Sequence, residues 1–271
     1  MAHERRMNTT LIPLILTALL APLPASAMDV IKGEILQGWV RPDGNRVAAI
    51  RMTMAPGWKT YWRAPGDMGI PPHFDWAGST NLSAVAVEWP APTVFREENL
   101  TTIGYKDQVV LPLVITTPQK GAPVRLQTTI DLGVCLDVCV PAQLHLDGII
   151  DTDATRAEPA IAAALAQRPY SAQEAGVTKA TCTIRFNNGD LELETAITLP
   201  DTGGPELVVI ETGQPDLWIS EADTTRHGGI LTSRVDVAHS TGGPIALNRS
   251  HIRMTVFGSK HAVDIRGCTP G

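Results

Sequence analysis

Four cysteines are the residues best suited to chemistry in this chain: Cys135, Cys139, Cys182 and Cys268. The first two sit four positions apart in Leu132-Gly133-Val134-Cys135-Leu136-Asp137-Val138-Cys139-Val140-Pro141, an apolar run with strand character. A flat strand advances about 3.3 Å per residue, so four residues span about 13 Å. A disulfide holds its Cα atoms roughly 4.4–6.8 Å apart. A continuous strand therefore cannot bridge the pair. Either the chain turns through Leu136-Asp137-Val138, with Asp137 as the turn former, or the thiols stay separate. Two apolar residues are unfavourable in an exposed turn unless something covers them or docks on them.

Two kinds of chemistry fit this spacing. A close pair can cycle between dithiol and disulfide through a mixed disulfide with a partner, the exposure of one sulfur controlling access. The other reading is a static bridge that closes a tight loop. Spacing alone leaves both open. The apolar turn favours the redox pair, because it offers a docking surface. Cys182 and Cys268 fall near the first and last strands of the second half of the chain and read as a structural disulfide. Closing a loop of that length contributes about 4–5 kcal/mol in the chain-entropy model.

A copper(I) site is the competing idea, since thiolate and thioether ligands suit that ion. Met52 and Met54 share a strand face, but His145, the histidine nearest the pair, lies six positions beyond Cys139 and completes no ligand template. No metal ligand and no cofactor are assigned. The sequence has no G-x-S-x-G elbow, P-loop or H-E-x-x-H motif. In Gly57-Trp58-Lys59-Thr60-Tyr61-Trp62-Arg63, Trp58 and Trp62 share a face and read as two inward rings of a core strand. A formal charge of −6 argues against a nucleic-acid partner.

The elements that must position these residues are short strands. Residues 1–27 read as a signal peptide: Arg5 and Arg6, an apolar core from Leu11 to Leu23, and Ala25-Ser26-Ala27 as the cleavage site. The mature protein is therefore expected to be exported and soluble in the periplasm, where disulfides form and persist. Residues 28–152 show short apolar or alternating runs divided by Gly and Pro, as in Val124 to Ile130, and read as a β-sandwich. Residues 153–176 are a linker with a short Ala-rich helix from Ala157 to Gln167, with Glu158 and Pro159 suited to its first turn. Residues 177–271 return to strands and read as a second, smaller sandwich, with Asn187-Asn188-Gly189-Asp190 as a hairpin turn. The expected fold is all-β: two sandwiches joined by a short helical linker.

Several stretches occur in the order found in one family. They are Gly57 to Asp67, Ile70-Pro71-Pro72, Gly104-Tyr105, Val110-Leu111-Pro112 and Cys135 to Pro141. Over residues 28–148 the sequence resembles the N-terminal periplasmic domain of the thiol:disulfide interchange protein DsbD, and within that family the ScsB-like branch tied to copper tolerance. The resemblance implies an immunoglobulin-like sandwich with a redox-active disulfide, Cys139 attacking and Cys135 resolving. It implies a cap loop at about residues 95–107, with Ile103 and Tyr105 over the sulfurs. It also implies a periplasmic thioredoxin-fold protein as acceptor and no small-molecule substrate. The C-x3-C spacing is tighter than in the best-known DsbD. Because the sequence ends at Gly271, the expected electron donor is a separate membrane electron-transfer protein (DsbD/CcdA-like). The alternative is an exported binding module, for copper(I) or a protein partner, with purely structural disulfides.

Overall fold

The computed structural model describes residues 30–66, 69–97, 100–151, 156–187 and 190–271. The expected signal peptide lies outside the described residues, as do residue 152 of the expected first sandwich, residues 153–155 of the expected linker and Asn188-Gly189 of the expected turn.

Strands run along the first half of the chain as β1 (Ile31–Val40), β2 (Arg46–Met54), β3 (Lys59–Gly66), β4 (His73–Asp75), β5 (Ala84–Val87), β6 (Thr93–Glu97), β7 (Leu100–Lys106), β8 (Gln108–Thr116), β9 (Val124–Cys135) and β10 (Cys139–Ile150). They form two antiparallel sheets. One has the order β1-β2-β8-β5; the other has the order β10-β9-β3-β7-β6, with β4 added against β9. Side-chain alternation explains the layering. On β9, Val124, Leu126 and Ile130 are buried while Arg125, Gln127 and Asp131 are exposed. These residues meet Ile50, Met52, Leu111 and Leu113 of the facing sheet, with Trp62, Ile103 and Tyr105 in the same core.

The helix α1 (Pro159–Ala166) begins where the sequence places it, with Pro159 in the first turn. It does not simply span a gap. Ile161 is fully buried against Val47 and Ala49 of β2, on the face of that strand turned away from the main core. This explains why β2 is apolar on both faces.

The second half contains β11 (Tyr170–Ser171), β12 (Lys179–Asn187), β13 (Asp190–Thr198), β14 (Leu207–Glu211), β15 (Leu217–Ile219), β16 (Asp223–His227), β17 (Ile230–His239), β18 (Arg253–Phe257), β19 (Ala262–Arg266) and β20 (Thr269–Pro270). The sheets are β11-β19-β18-β14 and β15-β17-β13-β12-β20, with β16 against β17. Leu193, Ile197, Leu231 and Val235 of one sheet pack on Val208, Met254, Val256 and Val263 of the other. Alternation puts Leu207, Phe257 and Ala262 on the opposite face of their strands, where they join the first sandwich's core. The architecture is all-β, two immunoglobulin-like sandwiches in contact through that face.

Candidate functional site

The turn required by the cysteine spacing is present. Cys135 ends β9, Cys139 begins β10, and the two are directly opposite in the ladder. They form a disulfide with Cα atoms 4.1 Å apart. This is close to the about 4.5 Å of opposed residues in a non-hydrogen-bonded antiparallel pair. Leu136-Asp137-Val138 makes the connection at the hairpin end.

Register decides what surrounds the sulfurs. Lys59 of β3 pairs with Cys135, and Tyr61 pairs with Gly104 of β7. Phe95 of β6 pairs with Thr102, and Glu97 with Leu100. Opposed residues share a face and alternate residues share a face. Lys59, Tyr61, Phe95, Glu97, Leu100, Thr102 and the two cysteines are therefore all on the outer face of this sheet. Together they line a cavity of about 210 Å³. The Lys59 amine bonds Glu97 at 2.5 Å and lies 4.7 Å from the centre of the Phe95 ring. These contacts tie the β6–β7 hairpin to β3 beside the disulfide.

The Tyr61 hydroxyl lies 2.8 Å from Cys135 Sγ and 2.9 Å from Cys139 Sγ. Disulfide sulfurs carry no hydrogen, so the hydroxyl donates. Burial, together with the negative charge of Glu97, pushes the Tyr61 hydroxyl's pKa up, so it keeps its proton at neutral pH. Two glycines make room for the ring. A Cβ at Gly133 would fall 3.1 Å from Tyr61 Cε2, and one at Gly69 would fall 2.8 Å from Tyr61 Cδ1.

The two sulfurs differ in access. Cys135 is 6% exposed, whereas Cys139 is exposed. Around Cys139 stand apolar side chains that face water: Val138 at 71%, Leu100 at 47% and Leu136 at 44%. The apolar turn is thus uncovered on its outer side.

Of the two residues expected over the sulfurs, Tyr105 points away from them. Tyr105 pairs with Thr60, so it points to the inner face. It is buried in the core and its hydroxyl donates to the Pro90 carbonyl at 2.8 Å. Burial drives its pKa far up. Ile103 is likewise buried in that core. The reason is parity: Ile103 and Tyr105 alternate with Thr102 and Gly104, and it is the latter pair that faces the disulfide side. Phe95, Leu100 and Thr102 of the same segment line the cavity, and Ile103 borders it as well. Tyr61 was the residue missed, and a signal for it existed. With Trp62 fully buried, its neighbour on a strand must face the other way.

The remaining candidates are separate from this site. Cys182 and Cys268 form a disulfide with Cα atoms 5.7 Å apart, Cys182 being fully buried. Met52 and Met54 are buried in the first core. His145 bonds Thr129 at 3.1 Å. Among the described residues, no group of three or more His, Cys, Asp or Glu side chains is placed to hold a metal ion.

Fold and site define a class: a tandem β-sandwich protein with a disulfide at an exposed hairpin end. Residues 30–149 match the family model of the N-terminal domain of thiol:disulfide interchange protein DsbD. That stretch, under half of the chain, is a DsbD N-terminal-like domain. Among solved structures, the chain is similar to the N-terminal periplasmic domain of ScsB from Proteus mirabilis. The TM-score is 0.66 at 20% identity, over 93% of this chain and 97% of that one. No curated protein matches the chain.

Proposed function

We propose that this protein is an exported thiol–disulfide oxidoreductase that passes reducing equivalents through Cys139 and Cys135 to a periplasmic thioredoxin-fold protein. The observation that supports it most is the unequal exposure of two bonded sulfurs, Cys139 open and Cys135 6% exposed. Exchange proceeds by thiolate attack on a disulfide sulfur in line with the leaving group, so only an accessible sulfur meets a partner. In the reduced protein the Cys139 thiolate attacks the partner's disulfide, and one partner sulfur leaves and takes a proton. The Cys135 thiolate then attacks Cys139 Sγ, breaking the mixed disulfide and releasing the partner's second thiol. Two electrons have moved and the Cys135–Cys139 bond has re-formed. A dithiol of a membrane electron-transfer protein reverses the sequence by attacking Cys139.

Tyr61 serves both states. Its hydroxyl donates to the disulfide in the structure and would donate more strongly to a thiolate, because charge-assisted hydrogen bonds are about twice as strong. Stabilising the thiolate favours the attacking species. Leu136, Val138 and Leu100 give the partner an apolar rim around the reacting sulfur. In this reading the redox sandwich is residues 28–152, residues 153–176 connect it to the second sandwich, residues 177–271, and the Cys182–Cys268 bridge is a structural staple.

The test is trapping. Cys135→Ala leaves Cys139 with no resolving thiol and should accumulate a mixed disulfide with an oxidised thioredoxin-fold partner, read on a non-reducing gel. Cys139→Ala should form none and lose exchange. Normal exchange by Cys139→Ala would sink the assignment.

A further inference from the structure

We propose that the second sandwich sets the geometry of the disulfide site, with Trp62 and Arg63 as positioning residues that act through Tyr61. This rests on the redox reading above and adds a role for residues outside the DsbD-like domain.

The argument begins with a break in the ladder. β3 pairs with β9 at Lys59 and Thr60, and with β7 from Lys59 to Tyr61. Pairing with β7 resumes at Gly66, opposite Thr102, only two positions along β7 from Gly104. Trp62, Arg63, Ala64 and Pro65 therefore bulge out of the ladder immediately after the tyrosine that touches both sulfurs. A bulged stretch has no ladder hydrogen bonds to hold it and must be fixed by something else.

The second sandwich supplies the fixing contacts. The Trp62 ring meets Phe257 of β18 edge-on, with centroids 5.3 Å apart. Arg63 donates through Nε and Nη2 to the two oxygens of Glu211 on β14, at 3.1 and 3.0 Å. Nη2 also donates to Thr255 Oγ1 at 3.2 Å and lies 3.8 Å from Asp264 Oδ1. The Arg63 side chain is only 12% exposed. A bidentate guanidinium–carboxylate pair fixes orientation as well as distance. Removing the Glu211 charge takes away the bidentate pair that orients the guanidinium and leaves it, as a carboxylate contact, only the 3.8 Å approach to Asp264, so the bulge would have to rearrange.

The bulge also presses on Tyr61 from the side. A Cβ at Gly69 would lie 2.1 Å from Pro65 Cβ and 2.8 Å from Tyr61 Cδ1, so Gly69 is wedged between the end of the bulge and the ring. Movement of the bulge therefore reaches the ring both along the chain and through this contact. A hydroxyl 2.8–2.9 Å from its acceptors loses much of the interaction beyond normal hydrogen-bond range. Because that bond favours thiolate over disulfide, displacing it disfavours the reduced form and makes the pair harder to reduce.

The experiment measures the reduction potential of Cys135–Cys139 in the full chain by thiol trapping in dithiothreitol and glutathione buffers. Glu211→Gln keeps the shape and removes the charge. It should shift the exchange equilibrium toward the disulfide by about tenfold, about 30 mV for a two-electron couple. Tyr61→Phe should shift it in the same direction, and adding Glu211→Gln to Tyr61→Phe should change nothing further. Phe257→Leu, which keeps the interface apolar, should act like Glu211→Gln and serves if the charge variant does not fold. Unchanged potentials in Glu211→Gln and Phe257→Leu, alongside a shift in Tyr61→Phe, would overturn the positioning role and leave the redox reading standing. So would a Glu211→Gln shift of full size in the Tyr61→Phe background. A wild-type pair that neither exchanges nor reduces in these buffers would overturn the redox reading itself.

Discussion

The two disulfides should separate cleanly under reduction. Cys135–Cys139 spans 4 positions of sequence and Cys182–Cys268 spans 86. In the chain-entropy model the stabilisation from a cross-link grows as three-halves RT times the logarithm of the loop length. The ratio of loop lengths makes the second bridge the larger contributor to folding stability by about 2.7 kcal/mol, a term that acts on the unfolded chain. In the folded protein access separates the two, since Cys182 is fully buried whereas Cys139 faces solvent. Titrating the folded protein with dithiothreitol, quenching with an alkylating reagent and counting modified cysteines by mass should show a plateau at two labels, mapped to Cys135 and Cys139. Removing the second bridge with Cys182→Ala and Cys268→Ala should cost about 4.6 kcal/mol in urea denaturation. Simultaneous reduction of both pairs, or reduction of Cys182–Cys268 first, would refute the reasoning and favour two structural staples.

Two further outcomes follow from local geometry. A Cβ at Gly104 would sit 2.1 Å from the Thr60 carbonyl oxygen, a backbone atom, whereas at Gly133 the nearest atoms are side-chain carbons of Ile70 and Tyr61 at 2.9 and 3.1 Å. Gly104→Ala should therefore break the β3–β7 pairing and cost about 3 kcal/mol or more, and Gly133→Ala about 1–3 kcal/mol while moving the tyrosine off the sulfurs; equal losses in urea denaturation would contradict this. Burial alone would raise the pKa of Asp264, but hydrogen bonds and charge from Arg253, with Arg63 and Arg266 nearby, hold it below its usual 3.8. A depressed folded pKa means stability that is present above the unfolded value and is lost as pH falls through the folded one. Asp264→Asn should flatten the acid limb of the stability curve below about pH 4, and a limb of unchanged slope would exclude Asp264 as a contributor.

Much of the molecule was legible before folding. The alternation in Val124 to Ile130 marks half-buried strand, and that segment lies within β9. The helix near Glu158-Pro159 forms where its start signal lies. The very short strands, such as β11, β15 and β20, were not legible. Two or three residues carry too little periodicity to read, and they are strands only because a longer neighbour offers its edge. The helix was read as a connector because its sequence does not reveal that Ile161 would find Val47 and Ala49.

The site divides along the same line. Fixed bond lengths alone required a turn between Cys135 and Cys139 if they were to bond, because no extended chain brings residues four apart within disulfide reach. Period-two alternation determined that Tyr61 opposes Trp62, and Ile103 and Tyr105 oppose Thr102. It could not say which of the two faces would be the core, and the face that Tyr105 takes is the inner one. That choice depends on sheet order and register, which join Tyr61 to Gly104 and Lys59 to Cys135. Likewise, nothing local connects Arg63 to Glu211, 148 positions away. Such pairings arise only when the second sandwich packs its Leu207–Phe257–Ala262 face on the first, where burial of apolar area selects one docking among many and so decides which charges meet.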